Sequence, residues 1–306
     1  MSVTICKPGD NINTIATSGA AGDTFILTTG TYQSQKVLPL DGQTFIGQQG
    51  VVMDGTATTD YCFYYDDAVR HPRGVTLRNL TIQNYTGGAG RGMIHGDNAV
   101  QWVLDHLTVT GCTAGRGIET GPGMILRSCR VTNNYLEGLS GFQSHGLCIE
   151  ACEFANNNTS HSAPDTATGA GSGFKLATCI GVRIRQTYSH DNYGPGIWID
   201  CDCHDVQLIG CQTMRNSHRG IQIEISDTVL VLDTVCLNEG IGGAPPGAAG
   251  IFVSSSSNVE IAGCRFLQCQ TGIGEHDDPA RGTGPYGPRR TTNFNVHDNE
   301  DTPMGS

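Results

Sequence analysis

The chain has 306 residues, 38% of them hydrophobic and only 15% charged, with 42 glycines. That balance argues against a disordered chain and against a helical one, because a fold with a turn every few residues is what uses glycine so freely. A formal net charge of −11 removes the general basic footprint that nucleic acid or an anionic membrane surface would need.

No stretch is long and apolar enough to span a bilayer. The length suits one large all-β unit. A single domain over 1–306 is expected, with a cap at 1–21, rungs over 22–276 and a tail over 277–306. The start, Met1-Ser2-Val3-Thr4-Ile5-Cys6, lacks the charged and then apolar segments of an export signal. Secretion is therefore expected from the function argued below, and a cytoplasmic location stays open. Thirteen cysteines is an odd number, so at least one thiol has no partner within the chain.

An internal repeat organises the rest. Glycines that open short apolar strands recur at positions 92, 117, 141, 173, 196, 220, 250 and 272, mostly 22–25 residues apart. The two longer intervals carry insertions, at 157–171 with Pro164 and at 240–250 with Pro245 and Pro246. Within each period a second strand returns in similar form: MILRSCRV at 124–131, LCIEACEF at 147–154, VQLIGCQT at 206–213, VEIAGCRF at 259–266. Alternating apolar and polar residues over such lengths mark strands, and regular spacing without helical patterns marks a solenoid of strands.

Two columns support stacking. Leu80, Leu107, Cys129, Cys152, Thr187, Cys211, Thr234 and Cys264 fill one inward position, with cysteine acting as a small apolar residue. Asn84, Asn133 or Asn134, Asn157 or Asn158, Asn192, Asn216 and Asn238 recur at a turn, where stacked amides can bond along the axis. The tail's low apolar content, from 277 to 290 especially, reads as partial disorder.

Together these features resemble the pectate-lyase-like superfamily over residues 22–299. The resemblance implies an all-β, single-stranded, right-handed parallel β-helix of about nine or ten rungs. Residues 10–18 resemble its short capping helix and 22–32 its first coil.

Function has to be sought on the strands that follow the repeated glycines. Residues two and four places after each glycine point outward. One outer column is then Glu119, Gln143, Lys175, Trp198, Gln222 and Phe252, and beside it run His145, Ala177, Asp200, Glu224, Ser254 and His276. Asp200, Asp202 and Glu224 fall within a few ångströms of one another, which raises a pKa unless a cation joins them. Their hard oxygens suit calcium, and the arrangement looks like the calcium site of pectate lyases; a merely solvated acidic patch is the alternative.

Lys175, one rung earlier, is either an ion-pair partner or the base of a β-elimination, as strand-borne lysines are in lyases of this superfamily. Arg219 and Arg116 are candidates for holding substrate carboxylates. Trp198 is a candidate platform for a sugar ring or a packed core residue, and Gln222, Glu119 and His145 complete the expected substrate-binding set. His190 lies away from this face and reads as structural. Strand alternation should send Cys201 and Cys203 inward, which speaks against a Cys/His zinc centre.

The expected function is a polysaccharide lyase acting on an acidic glycan, with Ca2+ at Asp200, Asp202 and Glu224 and with Lys175, Asp200 and Glu224 as the catalytic group. The alternatives are a glycoside hydrolase using two of those carboxylates, a uronate epimerase, and a non-catalytic glycan-binding or phage-fibre module. All four predict a polysaccharide or oligosaccharide partner lying along the axis; a monomer and a homo-oligomer are both compatible.

Overall fold

A computed structural model describes residues 1–88, 90–162, 171–240 and 248–302. Its strands wind into three long parallel sheets of twelve, eleven and nine strands, and apart from the first pair, Val3–Cys6 beside Thr24–Leu27, no two strands consecutive in the chain are neighbours in any of the three. Each circuit gives one strand to each sheet in turn. Among the described residues, nine complete rungs run from Thr44–Gly47, Val51–Asp54 and Phe63–Tyr64 to Ser257–Ala262, Arg265–Leu267 and Ile273–His276. This is the right-handed parallel β-helix that the resemblance implied. No described helix is long and apolar enough to cross a membrane.

The rungs stack without stagger. In the first sheet Leu77, Leu104, Leu126, Ile149, Ile184, Leu208, Val231 and Ile261 lie directly in line and all are buried. Such columns bury apolar area continuously along the axis, the main favourable term in a solenoid. The helix Ile12–Ser18 closes the N-terminal end by burying Ile12 and Ala16, and Asn11 caps it by accepting the Thr14 N–H at 2.9 Å. The cysteine column is buried as expected, and every cysteine is a free thiol.

The asparagine column is more selective than its sequence spacing implied. At one corner of each rung a residue in the left-handed region, such as Asn133 (φ +56°), Asp191 (φ +55°) or Asn238 (φ +53°), precedes the ladder member itself. The ladder is Asn134, Asn157, Asn192 and Asn216, each donating its side-chain N–H to the next residue's Oδ1 at 2.9–3.2 Å, and it ends on Glu239 at 3.1 Å. Asn84 and Asn238 therefore stand one place before the ladder positions.

The glycine column follows from this ladder. A Cβ on Gly138, Gly173 or Gly196 would come within 2.6–2.8 Å of the Nδ2 atoms of Asn157, Asn192 and Asn216, and within 2.4–2.8 Å of the next rung's carbonyl. That contact identifies Gly138, and not Gly141, as the member of the column: Leu139 pairs with Phe174 and Gly141 with Leu176. At the early end the column position is Met93, and Gly92 pairs with Arg116.

The insertions expected at 157–171 and 240–250 lie largely outside the described residues. The described part of the tail, 277–302, is built into the fold. Strands Thr292–His297 and Glu300–Thr302 extend the first and second sheets. Between them and the last cleft strand, residues 277–290 form a 3-10 turn at Pro279–Arg281 and a small hairpin pairing Thr283–Gly284 with Gly287–Pro288. Polar anchors hold this segment, so its low apolar content does not signal disorder.

Candidate functional site

The third sheet carries the site. Ile197 and Ile199 enter the core, while Trp198 and Asp200 point the other way, as alternation requires. The outer column reads His95, Glu119, Ser140, Lys175, Trp198, Gln222, Phe252. Beside it stand Phe142, Ala177 and Asp200, and on later rungs Glu224, Ser254 and His276. Ser140 and the exposed Phe142 thus hold the places expected for Gln143 and His145. His145 sits in the following turn, where its Nδ1 accepts the Ile180 N–H at 3.2 Å.

Outward does not mean exposed on this face. Trp198 is only 3% accessible, so it is no open sugar platform; the Lys175 ammonium lies 3.5 Å above its ring. The Lys175 Nζ also contacts Asp200 Oδ2 at 2.7 Å, and Asp200 Oδ1 accepts the Cys201 N–H. Glu224 accepts from Gln222 Nε2 and from Arg281 of the tail, both at 2.7 Å. Burial and the neighbouring Asp200 push its carboxyl up, against the pull of Arg281. Arg219 lies over the Phe252 ring at 4.2 Å.

Asp200 and Asp202, expected to hold calcium together with Glu224, do not lie on one continuous strand. The strand ends at Asp200, and Cys201 (φ +50°) and Asp202 (φ +60°) turn the chain away. Cys201 is accordingly exposed, not inward, while Cys203 is buried. Asp202 is clamped by Arg289 through Nη2 at 2.6 Å and Nε at 3.0 Å, and Tyr286 of the same hairpin stacks on His204 at 4.2 Å. Each of the three carboxylates has its own organic cation: Lys175, Arg289 and Arg281. Among the described residues, one group of histidine, cysteine and acidic side chains brings its polar atoms within 4.8 Å of one another, and it is a different one: His95, Asp97 and Glu119.

That early-rung group had shown only Glu119 and Arg116 in the sequence. His95 Nδ1 meets Glu119 Oε2 at 2.6 Å, and the same oxygen accepts the Gly92 N–H at 3.1 Å. Arg91 bridges Asp97 (2.9 Å) and Glu119 Oε1 (3.5 Å), while Arg116 pairs with the buried Glu137 at 2.8 Å. Burial pushes the Glu119 carboxyl up, but the hydrogen bonds from His95 and Gly92, with the charges of His95 and Arg116, bring it below the usual carboxylate range. Tyr61 and Tyr65 flank the imidazole at 4.8 and 4.7 Å between ring centres. His190 lies on the second sheet between Asp191 and Glu153, away from this face.

The chain matches the family described as "Right handed beta helix region" over residues 71–244 and 169–300. No curated protein matches it by sequence. Among solved structures it is similar to the A-module of the mannuronan C-5 epimerase AlgE4 of Azotobacter vinelandii, with 14% identity, 96% of this chain and 92% of that one covered, and a TM-score of 0.57. It is also similar to PfbA, a surface adhesin of Streptococcus pneumoniae (11% identity, 96% and 75% covered, TM-score 0.61). A third is the PL6 family alginate lyase AlyGC (10% identity, 94% of this chain but 42% of that one, TM-score 0.62). At such identities the likeness establishes the fold, and with the family match the chain belongs to the right-handed β-helix family.

Proposed function

We propose that the protein is a carbohydrate-active enzyme that cleaves an acidic polysaccharide laid along the outer face of the third sheet, by β-elimination at a uronate. The observation that carries this reading is a row of cations, Arg91, Lys175 and Arg281, standing over a floor of paired carboxylates; their side chains are 47%, 14% and 40% accessible. Such a row attracts an anionic chain locally although the whole protein is acidic. Solved structures of like fold named as an alginate lyase and a mannuronan C-5 epimerase support the substrate class.

In an elimination the proton leaves the carbon bearing the carboxylate, the bond to the glycosidic oxygen breaks, and a carbon–carbon double bond forms. Lys175, held by Asp200, offers its charge to a carboxylate of the bound chain.

The test is incubation with pectate, alginate, glycosaminoglycans and neutral glycans, with and without chelator, following ultraviolet absorbance and reducing ends together. The expected result is an unsaturated uronate from at least one acidic polymer, undiminished by chelator. In Lys175→Gln, KM should rise by roughly 30-fold or more, the cost of truncating a buried charge contact. A second reading, hydrolysis, is favoured by Glu224, whose raised carboxyl beside Asp200 has the character of a general acid. Reducing ends without absorbance would select it.

A further inference from the structure

We propose that proton transfer in this cleft belongs to His95, positioned by Glu119, and not to Lys175; this rests on the elimination reading above. His95 and Glu119 are both more than nine-tenths buried, and on adjacent rungs their side chains meet edge-on at 2.6 Å. Glu119 occupies Nδ1, which fixes the tautomer and leaves Nε2 as the nitrogen that exchanges a proton with a bound molecule.

The remaining groups around the ring fit that task. Tyr61 stacks on the imidazole and Tyr65 lies tilted against it, with His71 beside Tyr65 at 5.1 Å. Asp97 Oδ1 lies 3.7 Å from Nδ1, buried and without a hydrogen-bond partner among the described residues. Arg91 is nearly half accessible while bridging Asp97 and Glu119, and so it presents the nearest free edge of positive charge to an incoming carboxylate. Arg116 is turned inward to Glu137.

Base, orienting carboxylate and charge for the substrate are therefore within one cluster. Lys175 is three rungs away, roughly 14 Å at the usual strand spacing, too far to act on the same sugar. In the step itself, Nε2 takes the proton from the uronate carbon that bears the carboxylate. The electron pair of that bond becomes the double bond, the bond to the glycosidic oxygen breaks, and the leaving oxygen takes a proton from water. The imidazolium, stabilised by Glu119, then returns its proton to solvent. Lys175, Asp200 and Glu224 hold a sugar further along the same chain.

The experiment compares His95→Asn, Glu119→Gln and Lys175→Gln with the wild type on whichever uronate polymer is cut. It adds nitrogen NMR of the imidazole in the wild-type protein. His95→Asn should lower kcat by about 10²–10⁴-fold with little change in KM, while Lys175→Gln should act mainly on KM. The neutral His95 ring should carry its proton on Nδ1 in the wild type, and Glu119→Gln should lower kcat and disturb that tautomer. Cleavage by His95→Asn within a few-fold of wild type, or a proton found on Nε2, overturns this assignment and leaves the elimination reading standing. If the wild type gives no unsaturated product from any uronate polymer, both fall. Should His95→Asn fail to fold, the tautomer and Glu119→Gln still decide.

Discussion

Glu239 shows how one buried carboxyl can set the pH response of a whole solenoid. It takes two hydrogen bonds from Asn216, yet burial outweighs these and lifts its pKa from 4.5 to about 8. Between those two values the folded state holds a proton that the unfolded chain has lost. The stability it contributes is complete below about pH 4.5 and disappears as pH rises through about 8. The melting temperature should therefore fall from pH 5 to pH 9, and Glu239→Gln should flatten that slope and raise Tm at pH 9 by roughly 5 °C. Calorimetry across pH would test this, and an unchanged slope in the variant would move the titration to another group. At this scale the sequence was only partly legible. Lys175 beside Trp198, and Ala177 beside Asp200, followed from a uniform glycine spacing. His95 did not, because aligning that rung on Gly92 shifted it by one place and concealed that His95 shares a column with Glu119. The ladder begins at the Cys112 amide, which bonds Asn134 Oδ1 at 3.1 Å, so the rung at Met93 faces no asparagine and needs no glycine.

At the scale of the element, the ladder and the glycine column are one device. Asn192 accepts from the amide and side chain of Asn157 and donates to Asn216 and to the Phe154 carbonyl. Truncating it leaves several buried polar groups unpaired, each costing about 1–3 kcal/mol. Asn192→Ala should therefore cost roughly 3 kcal/mol or more in urea unfolding, whereas Asn133→Ala, at the left-handed turn beside the ladder, should cost about 1 kcal/mol. Equal costs would refute the distinction between turn and ladder positions. The strands were legible because alternation and spacing repeat. The exact column member was not, since GLSG at 138–141 offers two glycines and only the close approach of Asn157 Nδ2 to Gly138 chooses between them.

For the whole molecule, the segment over 277–290 matters most. Its anchors are ion pairs and one stacked ring, which carry no periodicity in sequence, and so the tail read as loose when it is a wall of the cleft. Arg289→Ala should release it. Hydrogen exchange in 277–291 should rise at least tenfold while the core strands keep their protection; unchanged exchange would show that Arg281 and Tyr286 suffice.

The amide row also has a direction. Every Nδ2 from Asn134 to Asn216 points toward the C-terminal end, so the small dipoles add, and the row terminates on an acceptor, Glu239, that needs no further donor beyond it. A single amide cannot flip without reversing all the others. The two ends are therefore specified, and the number of repeats between them is not. Each interior rung hands its neighbour the same donor that it received, so a whole rung can be gained or lost in the middle without leaving an unmatched group. Cleft length is then a modular property of this chain, changeable in steps of one strand spacing, about 4.8 Å, while both closures stay as they are.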